Sequence, residues 1–445
     1  MSNRMSKDQA RRIVQTLTDS TKKNVIVNIR DNGERLTRYA NSEIHQNVEI
    51  DDTVVTLTLW EGKKSASCQT NVYDKASLEK LAADTEAMLA HAPEGEDDFN
   101  PPPNEKIADS PTDFRLPEKF DIKGRAEALK LHLPGLGPDY TAAGVLALNR
   151  HMNAYGDCGG VFHYNAFDSV EFEVVVTHKD GETGFAAFTA SDLGKCDIAG
   201  AVKAAHAKAK AAIGPSFAEL GPYTVVLESA AVANLVTFML YGLNAGSHEK
   251  GLSFASGLLG QKLFGENITI RDDVSNPATL PMYFDAEGYK RQPLTLIEKG
   301  VVKNVVHCSK TAKRAGVAPT GHAIDNTGNG GYPLNVVMEG GDSSLPEMIK
   351  GVKKGILVTH FHYCNFVNPK TLQITGLTRD GTFMIEDGRV KNPIRNMRFT
   401  QSLLEAFSKT TFLSKTLTPV SLFGGAPALF PAAVIEDFHF TSGQK

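Results

Sequence analysis

The chain opens on a helical period. Ile13, Val14 and Leu17 recur at the spacing of one helical face and predict an amphipathic helix. From Asn24 to Asn71 the period shortens to two. "NVIVNIRDNGERLTRYA" predicts a hairpin about Asn32-Gly33, a dipeptide that supplies the positive φ a tight turn needs. "DDTVVTLTLWEGKKSASC" predicts two more strands around Glu61-Gly62. The helical period then returns. "SLEKLAADTEAML" places Leu78, Leu81, Ala82, Thr85 and Leu89 on one stripe.

Residues 92–118, "APEGEDDFNPPPNEKIADSPTDFRLPE", break the pattern. They are acidic, and three consecutive prolines continue neither a helix nor a central strand, so a surface connector is expected. Helical signals follow at 121–132 and 138–153. Strands are predicted near 160–190 with a turn at Asp180-Gly181. An Ala-rich helix near 198–213 carries Val202, Ala205, Ala209 and Ile213 on one face.

Two Gly-Pro pairs in "IGPSFAELGPYTVVLES" (213–229) mark a boundary. Beyond it strand formers dominate, with turns at Gly288, Gly300, Gly381 and Gly388. "AAVANLVTFMLYGL" (230–243) is the most apolar helical run. It is too short to span a bilayer and carries Asn234 and Thr237, so it predicts a buried helix. The expected fold is α+β. An N-terminal α/β domain with a mixed sheet covers 1–214, and a mostly antiparallel β domain with a few helices covers 215–445.

Bulk properties narrow the function. With 445 residues, two domains are the natural expectation. A formal net charge of −4 gives no basic face for a phosphate backbone, so neither nucleic acid nor membrane is expected as a partner. "KAAHAKAKAA" (203–212) and "KGVKKG" (350–355) read as solvated faces. Five scattered cysteines form no disulfide framework, and the N-terminus lacks the apolar core of a secretory signal. A cytoplasmic location is the expectation.

Four stretches are candidates for chemistry. "SHEKGLS" (247–253) has the His-Glu of a zinc-protease helix but no second His one turn on, and reads as a loop. "GLSFA" (251–255) misses the nucleophile elbow at Ala255, so Ser253 is a weak nucleophile candidate. "DNTGNGGYP" (325–333) reads as a loop that could flank a cleft. "GILVTHFHYCNF" reads as a strand, with Ile356, Val358, His360, His362 and Cys364 on one face and Leu357, Thr359, Phe361 and Tyr363 on the other. His360, His362 and Cys364 are candidate metal ligands by type. A straight strand separates the Cα atoms of His360 and Cys364 by about 13 Å, so at most two of the three reach one ion unless a bulge intervenes. Other ligands would come from elsewhere, with His307, Cys308 and His322 nearest in sequence. A half-buried strand with hydrogen-bonded imidazoles is the competing reading.

Three segments together resemble the TldD/PmbA family, also labelled modulators of DNA gyrase and classed among metallopeptidases. They are "LTRYANSEIHQNVEIDDTVVTLTLWEGKKSASCQTN", "GLSFASGLLGQKLFGENITIRDD" and "GILVTHFHYCNFVNPKTLQITGLTRDGTFMIEDGRVKNPIRNMRFTQSLL". The resemblance implies a heterodimer of a TldD-like and a PmbA-like (TldE) subunit that cleaves peptides and unfolded proteins in the cytoplasm. It places zinc in the TldD-like subunit, on an H-E-x-x-x-H helix and a Cys close to the C-terminus. The matching positions here, Val236–Tyr241, read "VTFMLY", and no cysteine follows Cys364. The resemblance therefore implies a PmbA/TldE-type chain without the family zinc site, bound to a TldD-like catalytic paralogue; a homodimer is also compatible. The alternatives are an autonomous metallohydrolase using His360, His362 or Cys364, and a gyrase-associated binding module.

Overall fold

The structure, a computed structural model, describes residues 5–95, 99–108, 110, 120–191, 193–325, 328–422 and 426–443. Most of the connector's Pro-rich part is therefore described, whereas 96–98, 109 and 111–118 of it lie outside the described residues. In the first half, α1 (Lys7–Asp19) leads into β1 (Asn24–Ala40), β2 (Glu43–Glu61) and β3 (Lys64–Thr70). Then come α2 (Lys75–His91), α3 (Ile122–His132), β4 (Tyr140–Asp157), β5 (Phe162–His178), β6 (Thr183–Ala190) and α4 (Ile198–Ala211). These six strands form one sheet in the order β3-β2-β1-β4-β5-β6.

Every pairing in that sheet is antiparallel, where a mixed sheet was expected. Four of its five neighbouring pairs are joined by short turns, which antiparallel strands permit. The expected hairpin at Asn32-Gly33 is absent. β1 runs straight through it and turns at Asn41-Ser42, with φ of 51° and 62°. Val25, Val27 and Ile29 set a register that Leu57, Leu59 and the helices bury, and Asn41-Ser42 provides the left-handed pair such a turn requires. The helical signal over 138–153 is a strand, β4, because its apolar residues pack between β1 and β5.

Helices cover one face of the sheet. α1 buries Ala10, Ile13, Val14 and Leu17, and α2 buries the predicted stripe from Leu78 to Leu89. α3 and α4 cover Val170, Phe172, Val174 and Val176 of β5, with Val202, Ala205 and Ala209 inward as expected. Ile213 lies past the end of α4 and is exposed. The opposite face of the sheet packs against the second half through Tyr155 with Phe284, and Phe167 with Leu280 and Ala426.

The second half begins with β7 (Gly221–Leu227), α5 (Ser229–Gly242), α6 (Ala245–Glu249), β8 (Ile270–Asp272), β9 (Leu294–Glu298), β10 (Val301–Val302), α7 (Ser309–Ala315) and β11 (Val336–Met338). It continues with α8 (Leu345–Lys350), β12 (Lys354–Asn368), β13 (Gln373–Glu386), β14 (Arg389–Pro393), β15 (Met397–Ser402) and α9 (Leu403–Ser408). β16 (Thr410–Leu413), β17 (Thr418–Leu422), β18 (Ala426–Phe430) and β19 (Ala433–Gly443) complete it. One sheet has the order β10-β9-β8-β11-β18-β17. In the other, β12-β7-β19-β15-β13 closes into a ring because β13 also pairs with β12. Pairings are antiparallel except β11 with β18 and β12 with β7. α5 lies in the largest core, and no helix among the described residues is long and apolar enough to cross a membrane.

Candidate functional site

β12 changes character along its length. From Gly355 to Val358 it pairs with β7 on one side and β13 on the other, and it is buried. The β7 pairing then ends. The Phe361 N–H is taken up instead by the side-chain oxygen of Asn234 on α5, at 2.9 Å. Here β13 carries an extra residue at Asp380-Gly381, with φ of 56° and 120°, values that Asp and Gly tolerate better than most residues. A second irregularity follows in β12 itself, where Tyr363 has φ of 56°.

These bulges defeat the two-residue period. Ile356, Val358 and Phe361 belong to one core, so Phe361 has exchanged sides with His360. His360 and His362 both line a cleft, whereas Cys364 packs against the core. Its sulfur lies where a Cβ on Gly376 would come within 2.6 Å, and burial pushes its thiol up to about 12.

His360 is firmly held. Its Nε2 lies 2.6 Å from Asp380 Oδ2, and its ring stacks on Phe185 of β6 at 4.2 Å between centroids. Burial alone would raise the Asp380 carboxyl. The hydrogen bond and charge of His360 outweigh burial and hold it below the usual carboxylate range. His362 is half-buried beside Tyr363, its pKa lowered by burial, then by Arg379 and His360.

The cleft has a volume of about 700 Å³. β5 and β6 of the first sheet form one wall, and β12, β17 and the start of α5 form the other. Glu171, Glu173, Lys208 and Glu228 bring charge to it; Lys208 and Glu228 pair at 2.7 Å. None of these four was singled out in the sequence. Glutamates alternating with Val and Phe in β5 look like any solvated strand face. Only the second half of the chain, folded over that face, turns them into cleft residues.

The other sequence candidates lie elsewhere. His248-Glu249 belongs to a one-turn helix, α6, rather than a loop; Asn244 caps it, and Glu249 pairs with Arg314. Ser253 is buried, its hydroxyl donating to the Gly242 carbonyl and accepting from the Ala255 N–H at 2.9 Å. In 325–333, residues 326–327 lie outside the described set, and Gly330 N donates to Cys308 Sγ at 3.4 Å. His322 is buried beside Asp272, Nε2 to Oδ1 3.3 Å, and the His307 backbone N–H donates to Thr320 Oγ1 at 2.8 Å. Among the described residues no three His, Cys, Asp or Glu side chains are grouped to hold a metal ion.

The segment Val236–Tyr241 lies on α5. Val236, Met239 and Leu240 are fully buried, and Thr237 Oγ1 donates to the Ala233 carbonyl at 2.8 Å. Phe238 meets Phe366 edge-on at 4.8 Å, and Tyr241 packs beside Tyr332 at 5.3 Å. An aliphatic side chain in the core, a hydroxyl already bonded and a phenol do not fit the donor set that zinc takes.

Residues 220–442 match the family model described as the PmbA/TldA metallopeptidase C-terminal domain. The chain is 27% identical over 160 residues to a metalloprotease of Methanothermobacter thermautotrophicus, covering 35% of this chain and 34% of that one. It is 27% identical over 208 residues to a metalloprotease TldD homolog of Buchnera aphidicola subsp. Acyrthosiphon pisum, covering 44% and 41%. The chain thus spans well under two thirds of these curated relatives. Its fold is similar to the crystal structure of TldE from Thermococcus kodakarensis, with a TM-score of 0.84 and 19% identity over 97% of this chain and 99% of that one. With the family model covering 223 of the 445 residues, the chain belongs to the PmbA/TldD metallopeptidase family.

Proposed function

We propose that this chain is a TldE-type subunit of a TldD/TldE-like peptidase, itself without zinc, which helps to hold an extended peptide or unfolded protein for a catalytic TldD-like partner in the cytoplasm. One observation carries the reading. The positions that the family resemblance assigns to the His, Glu and His of H-E-x-x-x-H are Val236, fully buried, Thr237, whose hydroxyl donates to the Ala233 carbonyl, and Tyr241, a phenol packed beside Tyr332. Residues 365–445 contain no cysteine. The likeness in fold to a TldE supports the same reading. In this view residues 1–214 and 215–445 are two domains, and the cleft between β6 and β17 is the place for substrate.

The full chain, purified from its native cell, tests this. Less than a tenth of an equivalent of zinc, no peptidase activity alone, and co-purification with a protein bearing H-E-x-x-x-H are expected. One equivalent of zinc that disappears in His362→Ala would overturn the reading, as would chelator-sensitive peptidase activity of the isolated chain.

A further inference from the structure

Two charges in the cleft are left unneutralised by their surroundings. Glu171 and Glu173 stand two residues apart on β5, so their Cα atoms are about 7 Å apart and their side chains share one face. Phe172 between them is fully buried in the core beneath the opposite face. Across the sheet, Glu173 faces Ala187 and Glu171 faces Thr189, neither of which can neutralise a carboxylate. Neither glutamate has an ion-pair partner among the described residues; the nearby Lys208 is engaged by Glu228. Burial holds both carboxyls above the usual range, Glu34 adds to the effect at Glu171, and Glu171 adds to it at Glu173, while Ser421 opposes it at Glu171. Two like charges kept half-buried and side by side cost stability unless something cationic joins them.

The cavity offers more than carboxylates. Thr359 lines it, is 1% exposed, and its hydroxyl has no hydrogen-bond partner. A buried hydroxyl without a partner is itself a cost that a donor would remove. Phe185, Phe188, Pro419 and Val420 provide apolar wall. β6 and β17 each end a sheet, so each has a row of backbone groups that no described strand pairs, and both border the cleft. An extended chain can pair with such an edge. Carboxylates with a hydrophobic wall suit a long basic side chain, whose methylenes bury while its head stays charged.

We propose that the cleft is a subsite for a lysine or arginine side chain of an extended peptide, with the cationic head at Glu171 and Glu173 and the stem along Phe185 and Val420. This inference rests on the peptide-holding role above and names its specificity.

The test is fluorescence anisotropy on the full chain at low ionic strength. Two labelled nonapeptides are used, identical except for a central Lys in one and norleucine in the other. The Lys peptide is expected to bind at least tenfold more tightly. In Glu171→Gln/Glu173→Gln its affinity is expected to fall to that of the norleucine peptide, whose own binding stays the same. Thermal unfolding shows whether the double variant is folded, and Glu173→Gln alone serves if it is not. Equal binding of both peptides by the native chain overturns the basic subsite and leaves the peptide-holding role standing. A Lys preference that survives the double substitution also overturns it, by placing the cation elsewhere. No binding of either peptide at millimolar protein overturns both.

Discussion

α5 and the cleft beside it deal with burial in opposite ways. Along Val236–Leu240 the helix turns aliphatic and aromatic side chains into the largest core, and its hydroxyl bonds to its own backbone. Each fully buried aliphatic side chain there contributes about 1.5–3 kcal/mol. A few ångströms of chain away, Asn234 and the start of the same helix border a cavity that retains Glu171, Glu173 and Glu228 near apolar walls, with His360 held in it by the buried Asp380. Burying those charges costs free energy that packing alone would not require. The difference separates two kinds of site. Where the family resemblance leads one to seek a metal stand an aliphatic side chain, a bonded hydroxyl and a phenol; where no motif marks a site, costly polar groups persist. That contrast is what points the functional reading toward binding.

The hardest way to break the contrast is to put a ligand back into the packed side. Val236→His would place an imidazole in a fully buried aliphatic position. A loss of about 3 kcal/mol is expected, read from the midpoint of chemical denaturation. A variant that keeps its stability and takes up one zinc per chain would show a latent metal site in α5. On the cleft side, Asp380→Asn removes the charge that holds His360. A loss of about 2 kcal/mol is expected at neutral pH, the range of hydrogen bonds to charged groups. The sign with pH follows from the depressed Asp380 carboxyl. Its stabilisation is present above the ordinary carboxylate range and is lost as pH falls through the lowered native value. The native chain should therefore lose more stability on acidification than Asp380→Asn does.

The sequence made helices and turns more legible than strand continuity or the site. The stripes of α1, α2 and α4 and the buried α5 could be read because helical periodicity is local. Asn32-Gly33 misled because a turn dipeptide competes with register, and fourteen residues of β1 paired on both sides win. β4 misled because small and apolar residues in "YTAAGVLALNRHMNAYGD" suit either element until neighbours decide. His360 and His362 were visible as residues, but their sides were not, since the deciding bulge lies in β13 at Asp380-Gly381. Glu171 and Glu173 were invisible. Their burial comes from the other half of the chain, which no short window contains.

A smaller effect sharpens the cleft side. Glu171→Gln/Glu173→Gln removes two like charges while keeping shape. A gain on the order of 1 kcal/mol is expected near neutral pH. The pH sign is opposite to that of Asp380. Both carboxyls are raised in the folded chain, so their contribution is fully favourable below the ordinary value of 4.5 and is lost as pH rises through the raised values. Thermal unfolding of native and variant chains across pH 4 to 8 should diverge toward neutral pH, with the variant more stable. Curves that stay parallel would mean that the pair is already neutralised.

The smallest change asks whether any metal belongs to the cleft. His362 is half-buried, and among the described residues no hydrogen bond holds its ring as Asp380 holds His360. His362→Ala should alter stability by less than about 0.5 kcal/mol. What remains should be a slope: with its pKa lowered in the folded chain, His362 favours folding above about 6.5 and ceases to as pH falls, so the variant should be slightly less sensitive between pH 7 and 5. Zinc content is the second readout and carries more weight. An imidazole that served as a ligand would, when removed, cost both the metal and the stability that metal binding adds. Equal zinc in the two chains leaves His362 as part of a polar wall. Zinc lost together with several kcal/mol would turn the polar side of the comparison into the metal site and leave α5 as its packed support.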